Sequence, residues 1–201
     1  MNNKHASKTR FMVELALMVT IIFVMAFTPL GYFRTVGLSI TFLTVPVAIG
    51  AMLLGPKGGA VCGLAFGITS LMQCFGMGAF GTMLFSINPV ATTILCIVPR
   101  ILEGWLTGLI FRFAQKHMKN SAYLAASLAC PLLNTVLYMS TLVLFFYHTD
   151  YIQGLVATLG VGNPFTFVAA FVGVQGMIEA VVCFILASAI AQALRKALRR
   201  A

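Results

Sequence analysis

The stretch from 41 to 72, TFLTVPVAIGAMLLGPKGGAVCGLAFGITSLM, is apolar throughout except for a few hydroxyls and one lysine, Lys57, set in the run GPKGG. Its reading decides the fold. A helix needs about 20 apolar residues to cross roughly 30 Å of hydrocarbon, so one crossing cannot use up the whole stretch. Glycine and proline punctuate helices, and the GPKGG run divides the stretch into two short spans, 38–55 and 59–75. Two crossings are expected here. A re-entrant hairpin in the same place, giving one crossing fewer, is the competing reading.

Outward from this point, apolar runs predict spans at 11–30, 89–111, 122–147 and 165–194. Hydrophobic residues make up 60% of the 201 positions and charged residues 8%, with a mean hydropathy of +1.00. That composition excludes a soluble domain. The expectation is an all-α integral membrane protein, a six-transmembrane-helix bundle forming a single membrane domain over 1–201. The first span follows a basic tail, but its apolar part is too long for a secretory signal and no small-residue cleavage site follows, so it is read as a helix.

Basic residues stay on the cytoplasmic side, and this orients the bundle. With both termini cytoplasmic, Lys4, Lys8, Arg10, Lys57, Arg112, Lys116, Lys119, Arg195, Lys196, Arg199 and Arg200 all fall inside. Arg34 alone falls outside, and Arg100 lies within the membrane. The net charge of +9 is therefore read as topology and attraction to an anionic lipid bilayer, with no nucleic acid partner.

Five cysteines, Cys62, Cys74, Cys96, Cys130 and Cys183, show no metal-ligand spacing, and His5, His117 and His148 sit in a tail or loops. The sequence gives no reason to expect a metal, a cofactor or a catalytic group, and the chain is read as a non-enzyme.

Polar residues inside the spans are costly, at least about 2.5–3.5 kcal/mol for a charge, and so mark a site. At about 1.5 Å per residue, Arg100 lies roughly 18 Å from the Arg112 anchor and Glu103 roughly 14 Å. Gln73, Asn134 and Glu179 lie roughly 22 to 24 Å from their own inner anchors. Tyr138 and Gln175 follow on the faces of Asn134 and Glu179, and Asn88 opens span four. These eight residues are the candidate ligand contacts, forming an outward-opening polar layer. Arg100 and Glu103, three apart, can pair within the helix, and such a pair could equally be a structural bridge. The loops TPLGYFRTVGLS, FGMGAFGTML and TDYIQGLVATLGVGNPF, rich in Gly and aromatic residues, are expected to serve as lids.

Two stripes of small residues remain. Gly59, Gly63 and Gly67 recur every four residues, a pattern that lets helix backbones approach closely, either inside the bundle or against another subunit. Ala16 and Thr20 form a second stripe on the first helix.

The run 41–72, followed by NPVATTILCIVPRILEGWLTGLIFRF, resembles the substrate-binding S components of energy-coupling factor (ECF) vitamin transporters. Within that family, VPVAIGAMLLGPKGGA and VPRILEGWLTGLIF are most similar to the pantothenate type. The resemblance implies a bundle that captures a vitamin from outside the bacterial cytoplasmic membrane and associates with a transmembrane T subunit and two ABC-type ATPases. The chain itself lacks the P-loop pattern GxxxxGK[ST], so energy is expected from those partners. In the family an AxxxA stripe on the first helix meets the T subunit. Ala16 and Thr20 are the matching positions, with threonine in place of the second alanine. Gly59, Gly63 and Gly67 could share that role.

The competing function is a stand-alone secondary transporter, but the two halves of the chain show no clear repeat. Pantothenate, with its carboxylate, hydroxyls and amide, suits Arg100, Asn134, Tyr138 and Gln175. Riboflavin, cobalamin and folate stay open as alternative vitamins.

Overall fold

Gly55 is where the chain turns back on itself. In the computed structural model, α2 (Thr44–Gln73) carries a break at this residue, with φ 75° and ψ −169°. Positive φ is a conformation that glycine adopts without a Cβ clash. Pro56 follows at the first position of the new arm, where a missing N–H costs nothing. The two arms, 44–54 and 56–73, fold against each other. A Cβ on Gly50 would lie 2.6 Å from Cys62 Sγ, and one on Gly59 would lie 2.8 Å from the Ala51 side chain. Along a straight helix, residues 50 and 62 would be separated by about 18 Å. The GPKGG run is thus the tip of a helical hairpin, with the Arg112 guanidinium lying over Gly55.

The structure describes residues 3–29, 31–34, 39–118 and 121–200, and side chains within them except at 3–7, 32–34, 39–40, 174–175 and 194–200. The other main helices are α1 (Asn3–Ala26), α4 (Pro89–His117), α5 (Ser121–Phe146) and α7 (Pro164–Arg200). Among the described residues, five helices, with the folded α2 counted as one, are long and apolar enough to cross a membrane, or six if a bent pair is counted as one span. That pair is α6 (Asp150–Leu159) with Pro164–Gly173, bent by 73°. The described chain is overwhelmingly helical, with one exception. β1 (Tyr32–Arg34) pairs antiparallel with β2 (Ser39–Thr41), so the span expected from residue 38 becomes helical only at Thr44.

The glycine stripe forms the seam between the second arm of α2 and α4, which share the most extensive helix contact. A Cβ on Gly59 would strike the carbonyl of Gly104, and one on Gly63 the carbonyl of Arg100. One on Gly67 would lie 3.0 Å from the carbonyl oxygen of Cys96. At the other end of the seam, Gly108 faces the Pro56 backbone, 2.6 Å from where its Cβ would be. Backbone meets backbone over about three turns. Of the two uses open to this stripe, packing inside the chain is the one the geometry displays: Gly59, Gly63 and Gly67 are buried under α4.

Two apolar clusters fill the interior. One occupies the end of the bundle that carries Lys57 and Arg112, here called the basic end, and is built from α1, α2, α4, α5 and α7 around Phe66, Phe111 and Cys130. The other occupies the opposite end, where α3 (Ala79–Ile87) and α6 pack over α4, α5 and α7 around Phe146, Ile152 and Phe167. Two of the three expected lid loops therefore contain short helices. Ring contacts of Phe80 with Tyr151 and Phe171 join them to α7, at centroid distances of 6.0 and 5.6 Å.

Gly63→Ala should lower stability by about 1–3 kcal/mol, the usual range for overpacking, because the obstructing atom is a main-chain carbonyl that cannot rotate away. Gly154→Ala on α6, where nothing lies within 4 Å, should leave stability unchanged or raise it by about 0.5–1 kcal/mol. Thermal unfolding of the two variants in detergent measures the difference.

Candidate functional site: a polar layer between two apolar clusters

Between the two clusters the chain buries Thr41, Arg100, Glu103, Asn134 and Glu179. Each comes from a different element except Arg100 and Glu103, which share α4. The α2–α4 seam places Arg100, and the stub of β2 leading into α2 supplies Thr41.

Arg100 is 6% exposed, and its guanidinium is sandwiched between rings. The centroid of Phe66, on α2, lies 4.8 Å from Cζ, and that of Tyr138, on α5, lies 4.4 Å away. Away from water such stacking is worth about 2 kcal/mol. Two of the three guanidinium nitrogens, Nε and Nη1, have no hydrogen-bond partner.

The intrahelical pair expected between Arg100 and Glu103 is not formed. Among the described residues the one ion pair is Arg10 with Glu14, a 2.7 Å contact on the exposed face of α1. The reason is rotational: Glu103 turns toward α5, where its Oε1 accepts from Cys130 Sγ at 3.2 Å. The rings of α2 and α5 meanwhile hold the guanidinium.

Glu179, on α7, joins three elements. Its Oε1 accepts from Asn134 Nδ2 and its Oε2 from the backbone N–H of Thr41, each at 3.4 Å. Nearby, Thr44 Oγ1 donates to Cys183 Sγ at 3.0 Å, and Cys130 Sγ also lies 3.5 Å from the Thr44 carbonyl oxygen. Asn134 Oδ1 has no partner.

Of the eight expected contacts, Arg100, Glu103, Asn134, Tyr138 and Glu179 come together. Gln73 does not join them: its Nε2 donates to the Ala26 carbonyl at 3.3 Å, closing the end of α1. Asn88 is the N-cap of α4, accepting from the Ala91 N–H at 3.0 Å, and is exposed. The side chain of Gln175 lies outside the described residues. Sequence reasoning did not identify Phe66, Thr41, Thr44, Cys130 or Cys183. Phe66 carried a usable signal, being a large ring beside Gly63 and Gly67 on the stripe that faces α4. Among the described residues no cluster of His, Cys, Asp and Glu is suited to a metal.

Unpaired polar atoms in a buried site are expensive, about 1–3 kcal/mol each and more when charged. Here the donors belong to a cation and an unpaired acceptor belongs to a carboxamide on the neighbouring helix. A small anion that also carries hydroxyl or amide donors would satisfy both.

The family described as "ECF transporter, substrate-specific component" matches residues 10–191. Over 171 residues the chain is 31% identical to the pantothenic acid transporter PanT of Lactococcus lactis subsp. cremoris, covering 78% of each chain. Over 123 residues it is 32% identical to the pantothenate transporter PanT of Leuconostoc mesenteroides subsp. mesenteroides, covering 58% of this chain and 56% of the relative.

Asn134→Leu should destabilise the protein by about 1–3 kcal/mol, because it strips Glu179 Oε1 of its side-chain donor inside the bundle. Asn134→Gln, which keeps a carboxamide, should recover part of that loss. Melting temperatures in detergent without ligand provide the comparison.

Proposed function

Because this chain belongs to the family of substrate-specific components of ECF transporters, we propose that it captures pantothenate and delivers it to a transmembrane T subunit driven by two ABC-type ATPases. In this reading the bundle crosses the bacterial cytoplasmic membrane six times with both termini inside, and the hairpin tip at Gly55 and Pro56 faces the cytoplasm. The polar layer then opens toward the outside beneath α3 and α6. The names of both relatives support the choice of vitamin.

The observation that carries the reading is the pair of unsatisfied groups on facing helices, Arg100 Nε and Nη1 opposite Asn134 Oδ1. The guanidinium, held flat by Phe66 and Tyr138, offers an edge to the vitamin's carboxylate. Asn134 Oδ1 accepts from a hydroxyl or the amide N–H. Glu179 positions Asn134 from behind and has no need to touch the ligand itself.

Coupling to the T subunit is assigned to α1. Ala16 and Thr20 lie on its exposed face, among Val13, Leu17 and Val24. Thr20 Oγ1 donates to the Ala16 carbonyl at 2.8 Å, so its polarity is satisfied within the helix and the stripe still presents small groups. Gly59, Gly63 and Gly67 are given no part in this contact, since α4 covers them.

Arg100→Lys keeps the charge but loses the planar fork and much of the stacking. Pantothenate affinity should fall by about 10- to 100-fold, as expected for losing ~1.5–3 kcal/mol of charge-assisted hydrogen bonding. Titration calorimetry beside a melting curve is the check, and unchanged affinity with lowered stability would remove Arg100 from the site.

Ala16→Leu should weaken co-purification with the T subunit while leaving the pantothenate Kd unchanged. In liposomes the chain alone should bind without concentrating the vitamin. Uptake by the chain alone on a proton or sodium gradient would instead identify a secondary transporter.

A further inference from the structure

On the side of the polar layer nearer the basic end, three oxygens have no hydrogen-bond partner: Glu103 Oε2, Thr107 Oγ1 and Ser127 Oγ. All three residues are 0% exposed. Glu103 and Thr107 stand one turn apart on a single face of α4, and Ser127 and Cys130 one turn apart on a single face of α5. The 3.2 Å hydrogen bond from Cys130 to Glu103 Oε1 sets the two faces against each other, with the three oxygens on the residues that flank this contact. Pro131 has no N–H to give to the Ser127 carbonyl one turn earlier, so that carbonyl lacks its usual helical donor.

These atoms do not satisfy one another. An atom-sized guest between them could meet them all, and its sign follows from the donor set: one carboxylate, two hydroxyls and a carbonyl, all oxygen, suit a hard cation. A single carboxylate suits a single charge. The charge balance of the layer agrees, since among the described residues Arg100 is the one buried cation against Glu103 and Glu179. Among the described residues no cation lies within 4.0 Å of Glu103. An anionic ligand on Arg100 would add a further negative charge to a region of low dielectric, where uncompensated charge is costly.

We propose that Glu103, Thr107 and Ser127 form a binding site for one small monovalent cation of the sodium type, taken up together with the anionic ligand held by Arg100. The co-uptake rests on the anionic-ligand reading above, whereas the cation site rests on the oxygens alone.

Two measurements on the full chain in detergent separate these parts, with sodium chloride exchanged for choline chloride at constant ionic strength. Without ligand, sodium should raise the melting temperature of the wild type, because it binds the folded state alone. Glu103→Gln and Thr107→Val, each compared with itself in the two salts, should lose that rise. With pantothenate, the wild-type Kd should be weaker in choline by roughly fivefold or more, the lower end of ordinary coupling between sites. Identical melting temperatures in the two salts would overturn the cation site and leave the oxygens to water. So would a sodium response that survives in both variants. A sodium-dependent melting temperature, lost in both variants, in a protein that does not bind pantothenate would uphold the cation site and overturn the ligand reading. A Kd indifferent to sodium would overturn the co-uptake.

Discussion

The seam between α2 and α4 is the constraint on which the rest of the structure depends. Glycines at 59, 63 and 67 bring one helix into main-chain contact with the other, and Gly104 and Gly108 do the same from the opposite side. Lipid tails give little hydrophobic drive for helices to associate, so close packing carries much of the energy. The seam also fixes register. Gly63 lies against the Arg100 carbonyl, and three residues further along α2 the Phe66 ring covers the Arg100 guanidinium. The small residues that hold the bundle together thereby place its most costly side chain.

A charge buried in hydrocarbon is expected to find an ion-pair partner, and this chain resolves the problem differently. Arg100 is stabilised by two ring faces, which leave its N–H edges available, whereas an ion pair with Glu103 would have consumed them. Glu179 shows the complementary arrangement, with Asn134 and the Thr41 backbone each engaging one carboxylate oxygen. One carboxylate is tied up, and one guanidinium is held ready. That contrast separates a carboxylate whose two oxygens are engaged from a guanidinium whose Nε and Nη1 are not.

Much of this was legible in the sequence. Composition, the positions of the apolar runs and the break at GPKGG predicted a helical membrane protein with a turn in α2, and the turn lies at Gly55. Counting from the basic anchors placed Arg100, Glu103, Asn134 and Glu179 deep in their helices, and all four are buried. Depth along an axis follows from the fixed rise of a helix, so it can be read without knowing the neighbours.

Azimuth and partnership cannot be read that way. Gln73 was expected at the level of Asn134 and Glu179, but it turns toward the end of α1. Glu103 was expected to face Arg100 across one turn, but it turns to Cys130. The glycine stripe could have served another subunit or the chain's own α4, since a smooth face is equally suited to both. Residues 39–41 were expected to be helical and form a strand, because pairing with β1 satisfies their backbone across the chain. By itself the sequence determined which segments are apolar enough to be membrane helices and how far along each helix a polar residue lies, because hydropathy and helix rise are local properties. Only the tertiary structure decided which of them meet, because that depends on how each helix is rotated against its neighbours, and here the α2–α4 backbone contact sets that rotation.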